Sequence, residues 1–189
     1  PRSAVRILLP MVVDLAEIVA TRALIERLAK EMGNEEKIEL GVMIETPSAA
    51  VLADQLAQEA DFFSVGTNDL TQYTLCMDRT NSALASRVDG FHPAVLRLIA
   101  LTAQGASKHA KWLGVCGAMA SDPLAVPVLI GLGVRELSVS PAVIPEIKAL
   151  IRKISLADCQ SAAQTALQQT SAEAVRASIK ARWPWLAAL

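Results

Sequence analysis

Aromatic residues are scarce. They make up 4% of the 189 residues, so any core must be built from aliphatic side chains. Neither sign of charge predominates. Eighteen Lys and Arg face 19 Asp and Glu for a net charge of −1, which gives no electrostatic case for nucleic acid or an anionic membrane surface. No apolar run approaches the roughly 20 residues of a membrane-spanning helix. Cysteine is limited to Cys76, Cys116 and Cys159, an odd count whose spacings of 40 and 43 match no zinc pattern. A reducing cytoplasm is the simpler setting for them. The start, Pro1-Arg2-Ser3-Ala4, has no initiator Met and no apolar signal region, and reads as the middle of a longer protein. Against these absences stand 52% hydrophobic and 20% charged residues, the balance of a buried globular domain.

Short apolar runs alternate with longer helical stretches. Strands are expected over Val5 to Leu9, Glu39 to Ile44, Phe62 to Val65, Trp112 to Val115 and Glu136 to Val139. The first helix is expected from about Asp14 to Met32, closed by Gly33, with a polar turn over Asn34 to Lys37. Thr46 caps a second helix, with Pro47 in its first turn, running to about Ala60. A polar loop over Thr67 to Asp69 precedes a short helix over Leu70 to Cys76. After a loop from Asp78 to Phe91, His92-Pro93 opens a helix to about Ala110. Further helices are expected over Asp122 to Ile130, from Ser140-Pro141 to about Ile154, and near Leu156 to Leu167 and Ala172 to Ala181. Trp183-Pro184-Trp185 reads as a local apolar anchor or the start of a linker. Five strand–helix units with near-continuous apolar strands specify an α/β fold with a parallel sheet. A doubly wound sheet and a (β/α)8 barrel both fit. The chain is shorter than the ~250 residues of a complete barrel.

The polar residues gather at one place in that scheme. Glu45, Asn68 and Asp69, Cys116, and Ser138 with Ser140 all fall at or just past strand carboxyl ends, the edge that carries the active site in parallel α/β folds. Glu45 and Asp69 come from neighbouring strands. Two carboxylates that close need a cation or a shared proton, and magnesium (Mg²⁺) is held by one or two carboxylates completed by substrate oxygens and water. Asn68 and Arg79 suit phosphate or carboxylate oxygens, Arg by its two-pronged fork. Simpler roles stand beside these: capping for Glu45 and Asp69, a surface charge for Arg79, a small buried side chain for Cys116. His92 reads as a helix cap, and Cys76 and Cys159 as core.

Three segments, Gly-Val-Met-Ile-Glu45-Thr-Pro, Gly66-Thr-Asn-Asp-Leu-Thr-Gln-Tyr-Thr and Gly114-Val-Cys-Gly, together resemble enzyme I of the bacterial phosphoenolpyruvate:sugar phosphotransferase system. The resemblance runs from about Ile7 to Ile154. Met77-Asp78-Arg79-Thr80-Asn81 and His92-Pro93-Ala94-Val95 are similar to the multiphosphoryl transfer proteins. The resemblance implies the C-terminal part of a TIM-like (β/α)8 barrel, one partial domain over 1–189. It also implies phosphoryl transfer from phosphoenolpyruvate to a histidine on another domain, then to a small phosphocarrier protein, with release of pyruvate. Glu45 and Asp69 would hold Mg²⁺; Asn68, Asp69 and Arg79 would bind substrate, with Thr67 ordering the loop. Cys116 would be the catalytic proton donor to the methylene carbon. A homodimer is implied as well. Ala118 departs from the family, which usually has Glu after Cys-Gly, and bears on Cys116.

Pyruvate phosphate dikinase and phosphoenolpyruvate synthase share the barrel and are an alternative reading; an inactive dimerisation module is another. Because the resemblance places two further substrate arginines on earlier strands, the chain alone is expected not to turn over. Pyruvate released from phosphoenolpyruvate faster than by a Glu45→Ala control would refute that expectation.

Overall fold

The short apolar runs form five strands. In the computed structural model, which describes residues 5–33 and 36–188, these are β1 (Arg6–Leu9), β2 (Glu39–Ile44), β3 (Phe62–Gly66), β4 (Trp112–Cys116) and β5 (Glu136–Leu137). Helices α1 (Leu15–Glu31), α2 (Pro47–Val51), α3 (Ala53–Glu59), α4 (Thr67–Leu75), α5 (Pro93–Lys108), α6 (Ala125–Gly131) and α7 (Ile144–Ile151) fill the connections, followed by α8 (Leu156–Leu167) and α9 (Ala172–Arg182). The strands pair in chain order and every pair is parallel. A doubly wound sheet reverses its strand order at a switch point. This sheet does not, and the architecture is that of a partial barrel.

The register decides which residues meet. Phe62 lies between Gly41 and Trp112, Ser64 between Met43 and Gly114, and Gly66 beside Cys116. Side chains alternate along a strand, so Leu40, Val42, Ile44, Phe63, Val65, Leu113 and Val115 share the other face. All are at most 2% exposed, and they form one core with helix residues such as Leu56, Val95, Ile99 and Val126. That core is mainly aliphatic, as the shortage of aromatics requires, with Phe63 and Phe91 buried in it. On the first face the Phe62 and Trp112 rings stack, centroids 4.6 Å apart and planes within 1°. The Arg6 guanidinium lies 5.1 Å from the Trp112 centroid. This aromatic pair closes the amino-terminal end of that face, leaving the carboxyl end to polar groups.

Several expected boundaries hold. Thr46 accepts the Ala49 N–H at 3.1 Å and donates to the Val12 carbonyl at 2.7 Å, so its cap also ties β1's extension to β2. His92 accepts the Ala94 N–H at 3.2 Å ahead of Pro93. Trp183 and Leu186 are buried, as a local anchor requires. Other boundaries differ. Thr67 to Asp69 is not a loop but the first turn of α4. The helix expected from Pro47 to Ala60 breaks at Leu52, where no sequence signal marks it. Asp122 accepts the Leu124 N–H at 2.9 Å in the turn before α6, which starts only at Ala125. The helix expected from Ser140-Pro141 opens with a 3-10 turn and ends by Ile151. β5 stops at Leu137, although Ser138 N–H still reaches the Val115 carbonyl at 2.9 Å. The turn expected over Asn34 to Lys37 lies partly outside the described residues. Among those described, no helix is long and apolar enough to cross a membrane.

Asp61 locks the amino-terminal ends of β2 and β3 to α1. Its carboxylate accepts from Lys37 Nζ at 2.7 Å, Leu40 N–H at 2.9 Å and Arg22 Nη2 at 3.0 Å. Burial alone would raise its pKa, but these donors outweigh it and hold the carboxyl at about 2 against an ordinary 3.8. A depressed carboxylate stabilises the fold above its unfolded pKa, and the contribution is lost as pH falls through the folded value. Asp61→Asn is therefore expected to cost about 2 kcal/mol at pH 7 and to flatten the fall in stability between about pH 4 and 2. Urea unfolding across that range is the check, and parallel curves for the two proteins would contradict it.

Candidate active site

The carboxyl ends of β2, β3 and β4 bring the candidate residues together. Glu45 follows β2 and is only 4% exposed. Its Oε1 accepts the Met11 N–H at 2.8 Å, so the extension of β1 fixes its orientation. Gly66 lets β3 pass beside it: a Cβ there would stand 2.6 Å from Glu45 Oε2. Burial raises the Glu45 pKa; the Met11 N–H opposes this, the Asp69 charge adds to it and Arg79 reduces it. The two carboxylates thus feel each other, as their neighbouring strands require. A buried carboxylate beside a second one, held by a single amide, suits a cation.

The first turn of α4 presents Thr67, Asn68 and Asp69, and the positive end of a helix dipole favours anions there. Thr67 is 1% exposed, and its hydroxyl donates to the Cys116 carbonyl at 2.9 Å, clamping α4 to the end of β4. Asn68 Oδ1 accepts the Ala118 N–H at 3.0 Å. With its oxygen occupied, Asn68 has amide N–H donors left for a ligand, which suits an anion and not a cation. Arg79 Nη1 donates to Asp69 Oδ1 at 2.7 Å, with both side chains part exposed. The Cys116 Sγ lies 3.4 Å from the Val65 carbonyl.

Gly117 closes the arrangement. Its φ of 86° and ψ of −170° belong to a region essentially restricted to glycine, and a Cβ would stand 2.5 Å from Thr67 Oγ1 and 3.0 Å from Asn68 Oδ1. A cavity of about 170 Å³ opens between α4 and the loop after it, lined by Thr67, Asn68, Thr71, Arg79, Gly90 and Ala118 among others. A wider groove of about 1010 Å³ lies at the opposite strand ends, near Lys111 and Arg135, and holds none of the candidate residues. Ser138 and Ser140 sit on the expected edge but are exposed and bond to no candidate residue among the described ones. Sequence reasoning missed the backbone donors of Met11 and Ala118, which no side-chain motif announces. It also missed Gln72, although the Asp69-to-Gln72 spacing puts both on one helix face. Among the described residues no group of three or more His, Cys, Asp or Glu could hold a metal; any metal here rests on the Glu45–Asp69 pair.

Fold and site define a segment of a (β/α)8 barrel with its polar groups at the strand carboxyl ends. Comparison with known proteins gives the family. The family described as "PEP-utilising enzyme, PEP-binding domain" matches residues 2–156. A multiphosphoryl transfer protein of Xanthomonas campestris is 49% identical over 171 residues, 90% of this chain and 20% of that protein. A phosphoenolpyruvate-protein phosphotransferase of Mycoplasma genitalium is 43% identical over 170 residues, 90% of this chain and 30% of that one. Among solved structures, a citrate lyase of Burkholderia xenovorans superposes with a TM-score of 0.65 at 21% identity, covering 99% of this chain and 64% of its own; this shows the fold alone. The chain belongs to the phosphoenolpyruvate-binding domain family of the phosphoenolpyruvate-utilising enzymes. It spans between a fifth and a third of the length of the two relatives just described.

Gly117→Ala is expected to push Thr67 off the Cys116 carbonyl and Asn68 off the Ala118 N–H, at a cost of about 2–4 kcal/mol from backbone strain plus crowding. Denaturant unfolding measures the loss. Unchanged stability would show that this turn does not frame the site.

Proposed function

We propose that this chain is the phosphoenolpyruvate-binding part of a phosphoenolpyruvate-protein phosphotransferase, which passes phosphate to a histidine on another domain and then to a phosphocarrier protein. The observation that carries the reading is the meeting of Glu45, Asn68, Asp69, Arg79 and Cys116 at one sheet edge, supported by the family and by relatives that bear that name. A cytoplasmic setting and a homodimer go with it.

Mg²⁺ is the cation that suits two oxygen ligands with room for substrate oxygens, and Glu45 and Asp69 would hold it. Bound there, it would neutralise charge on the transferring phosphoryl group. Apart from the accepting histidine on another domain, the roles below fall to the chain's own groups. Asn68 presents N–H donors to phosphate oxygens, because Ala118 holds its oxygen. Arg79 turns from Asp69 to the phosphate, exchanging one charge-assisted bond for another. As the phosphoryl group leaves the enol oxygen for the histidine nitrogen, the electron pair of the broken O–P bond forms the carbonyl. The Cys116 thiol gives its proton to the methylene carbon, which completes pyruvate, and is reprotonated from water. Thr67 holds the Cys116 carbonyl and so fixes the thiol's distance from the phosphate site.

The test is calorimetry of phosphoenolpyruvate with the chain, with and without Mg²⁺. Binding is expected to require the metal and to be lost, by at least about 100-fold, in Asp69→Ala, which removes a metal ligand and Arg79's partner. Equal binding with and without metal, or by Asp69→Ala, would refute the assignment.

A further inference from the structure

We propose that Gln72 is a positioning residue for Arg79, an inference that rests on the phosphate-binding reading above. Gln72 lies three residues beyond Asp69 on α4, on the same face of the helix. The two side chains hold one residue at two points. Asp69 Oδ1 takes the Arg79 guanidinium at 2.7 Å, and Gln72 Oε1 takes the Arg79 backbone N–H at 3.2 Å.

The backbone between them explains why a tether is needed. α4 ends at Cys76 in a left-handed conformation, φ 52° and ψ 39°, and the Cys76 and Met77 N–H groups return to the Gln72 carbonyl. Gln72 therefore receives the chain as it leaves the helix by its main chain and again at Arg79 by its side chain. Beyond Arg79 the loop bonds to itself: Asp78 Oδ1 takes the Thr80 N–H at 2.8 Å and Asn81 Oδ1 the Ala83 N–H at 2.9 Å. Among the described residues, Asp69 and Gln72 are the two side chains of α4 that hydrogen-bond this loop.

Those two ties behave differently when substrate arrives. The guanidinium must leave Asp69 to reach phosphate, and Asp69 must be free for a cation. Gln72 Oε1 is bonded to the Arg79 backbone N–H and not to the guanidinium, so its bond survives the exchange. It then becomes the remaining hydrogen-bonded tie of Arg79 to α4, and it confines the motion to the side chain. A pivot held in this way avoids reordering the loop on binding, a cost that would otherwise come out of affinity.

Gln72→Met keeps length and packing but removes the acceptor, and Gln72→Glu restores an acceptor oxygen. In the ligand-free chain, amide hydrogen exchange at Arg79 is expected to rise about five- to tenfold in Gln72→Met and to return to the wild-type rate in Gln72→Glu, with the melting temperature unchanged. Calorimetry with Mg²⁺ and phosphoenolpyruvate is expected to show a similar five- to tenfold loss of affinity in Gln72→Met. Wild-type exchange at Arg79 in Gln72→Met overturns the inference. So does faster exchange with unchanged affinity, which leaves Gln72 a loop anchor with no part in phosphate binding. A folded wild-type chain that takes up no phosphoenolpyruvate overturns the functional reading, and the inference with it. The two failures are distinct, because only the second appears in the unsubstituted protein.

Discussion

Side chains alternate on a strand, and in a parallel sheet the register fixes which of them share a row. The pairing of β2, β3 and β4 is the constraint on which everything else here depends. Because Gly66 stands beside Cys116 and Ser64 between Met43 and Gly114, Glu45, Gly66 and Cys116 end up across the top of one face. The aliphatic set from Leu40 to Val115 is sealed on the other. A slip of one residue in β3 would send Phe63 and Val65 out of the core and set Gly66 away from Glu45. Core and site are thus specified by the same alternation, and stability protects the geometry of the chemistry.

Within that row the electrostatics are set by a shortage of cations. Glu45 is buried with one amide for company, and burial together with the Asp69 charge works against its ionised form. Among the described residues Arg79 forms its ion pair with Asp69, and that bond is the first cause that raises its pKa. The site at rest is therefore internally paired at one end and strained at the other. On the proposed reading, a divalent cation would relieve Glu45 and compete with Arg79 for Asp69, which would release the guanidinium toward an anion. Metal and phosphate would then favour each other's binding through one shared carboxylate.

Much of this was legible in the residues. The ends of β1 and β2, the Thr46 and His92 caps, the parallel sheet and the gathering of Glu45, Asp69 and Cys116 follow from periodicity and turn chemistry. What was not legible has a common physical character. Thr67 to Asp69 reads as a loop because three polar residues after Gly66 look like turn residues, yet tertiary bonds to β4 fold them into the first turn of α4. Met11 and Ala118 act through backbone N–H groups, whose identity no side chain reveals. β5 is an edge strand among the described residues, so its length depends on a neighbour and not on its own Glu136–Val139 pattern. The break at Leu52 left no mark in the sequence.

Charge arithmetic says how complete the site is. Glu45 and Asp69 contribute two negative charges, Arg79 one positive, and a divalent metal raises the sum to about +1. A phosphate of about −2 with a carboxylate makes the proposed substrate about −3. On the proposed reading the set would be short by about two positive charges, the number that the family resemblance assigns to two further arginines. Ala118 matters in the same count. A Glu at that position would bring another negative charge to a cavity that Asn68 and Arg79 line, and deepen the shortage. The structural work done there, holding Asn68 by a backbone N–H, does not depend on the side chain. A chain with Ala118 therefore keeps the donor geometry, and on the proposed reading it would present a less negative wall to phosphate and leave affinity to metal and Arg79.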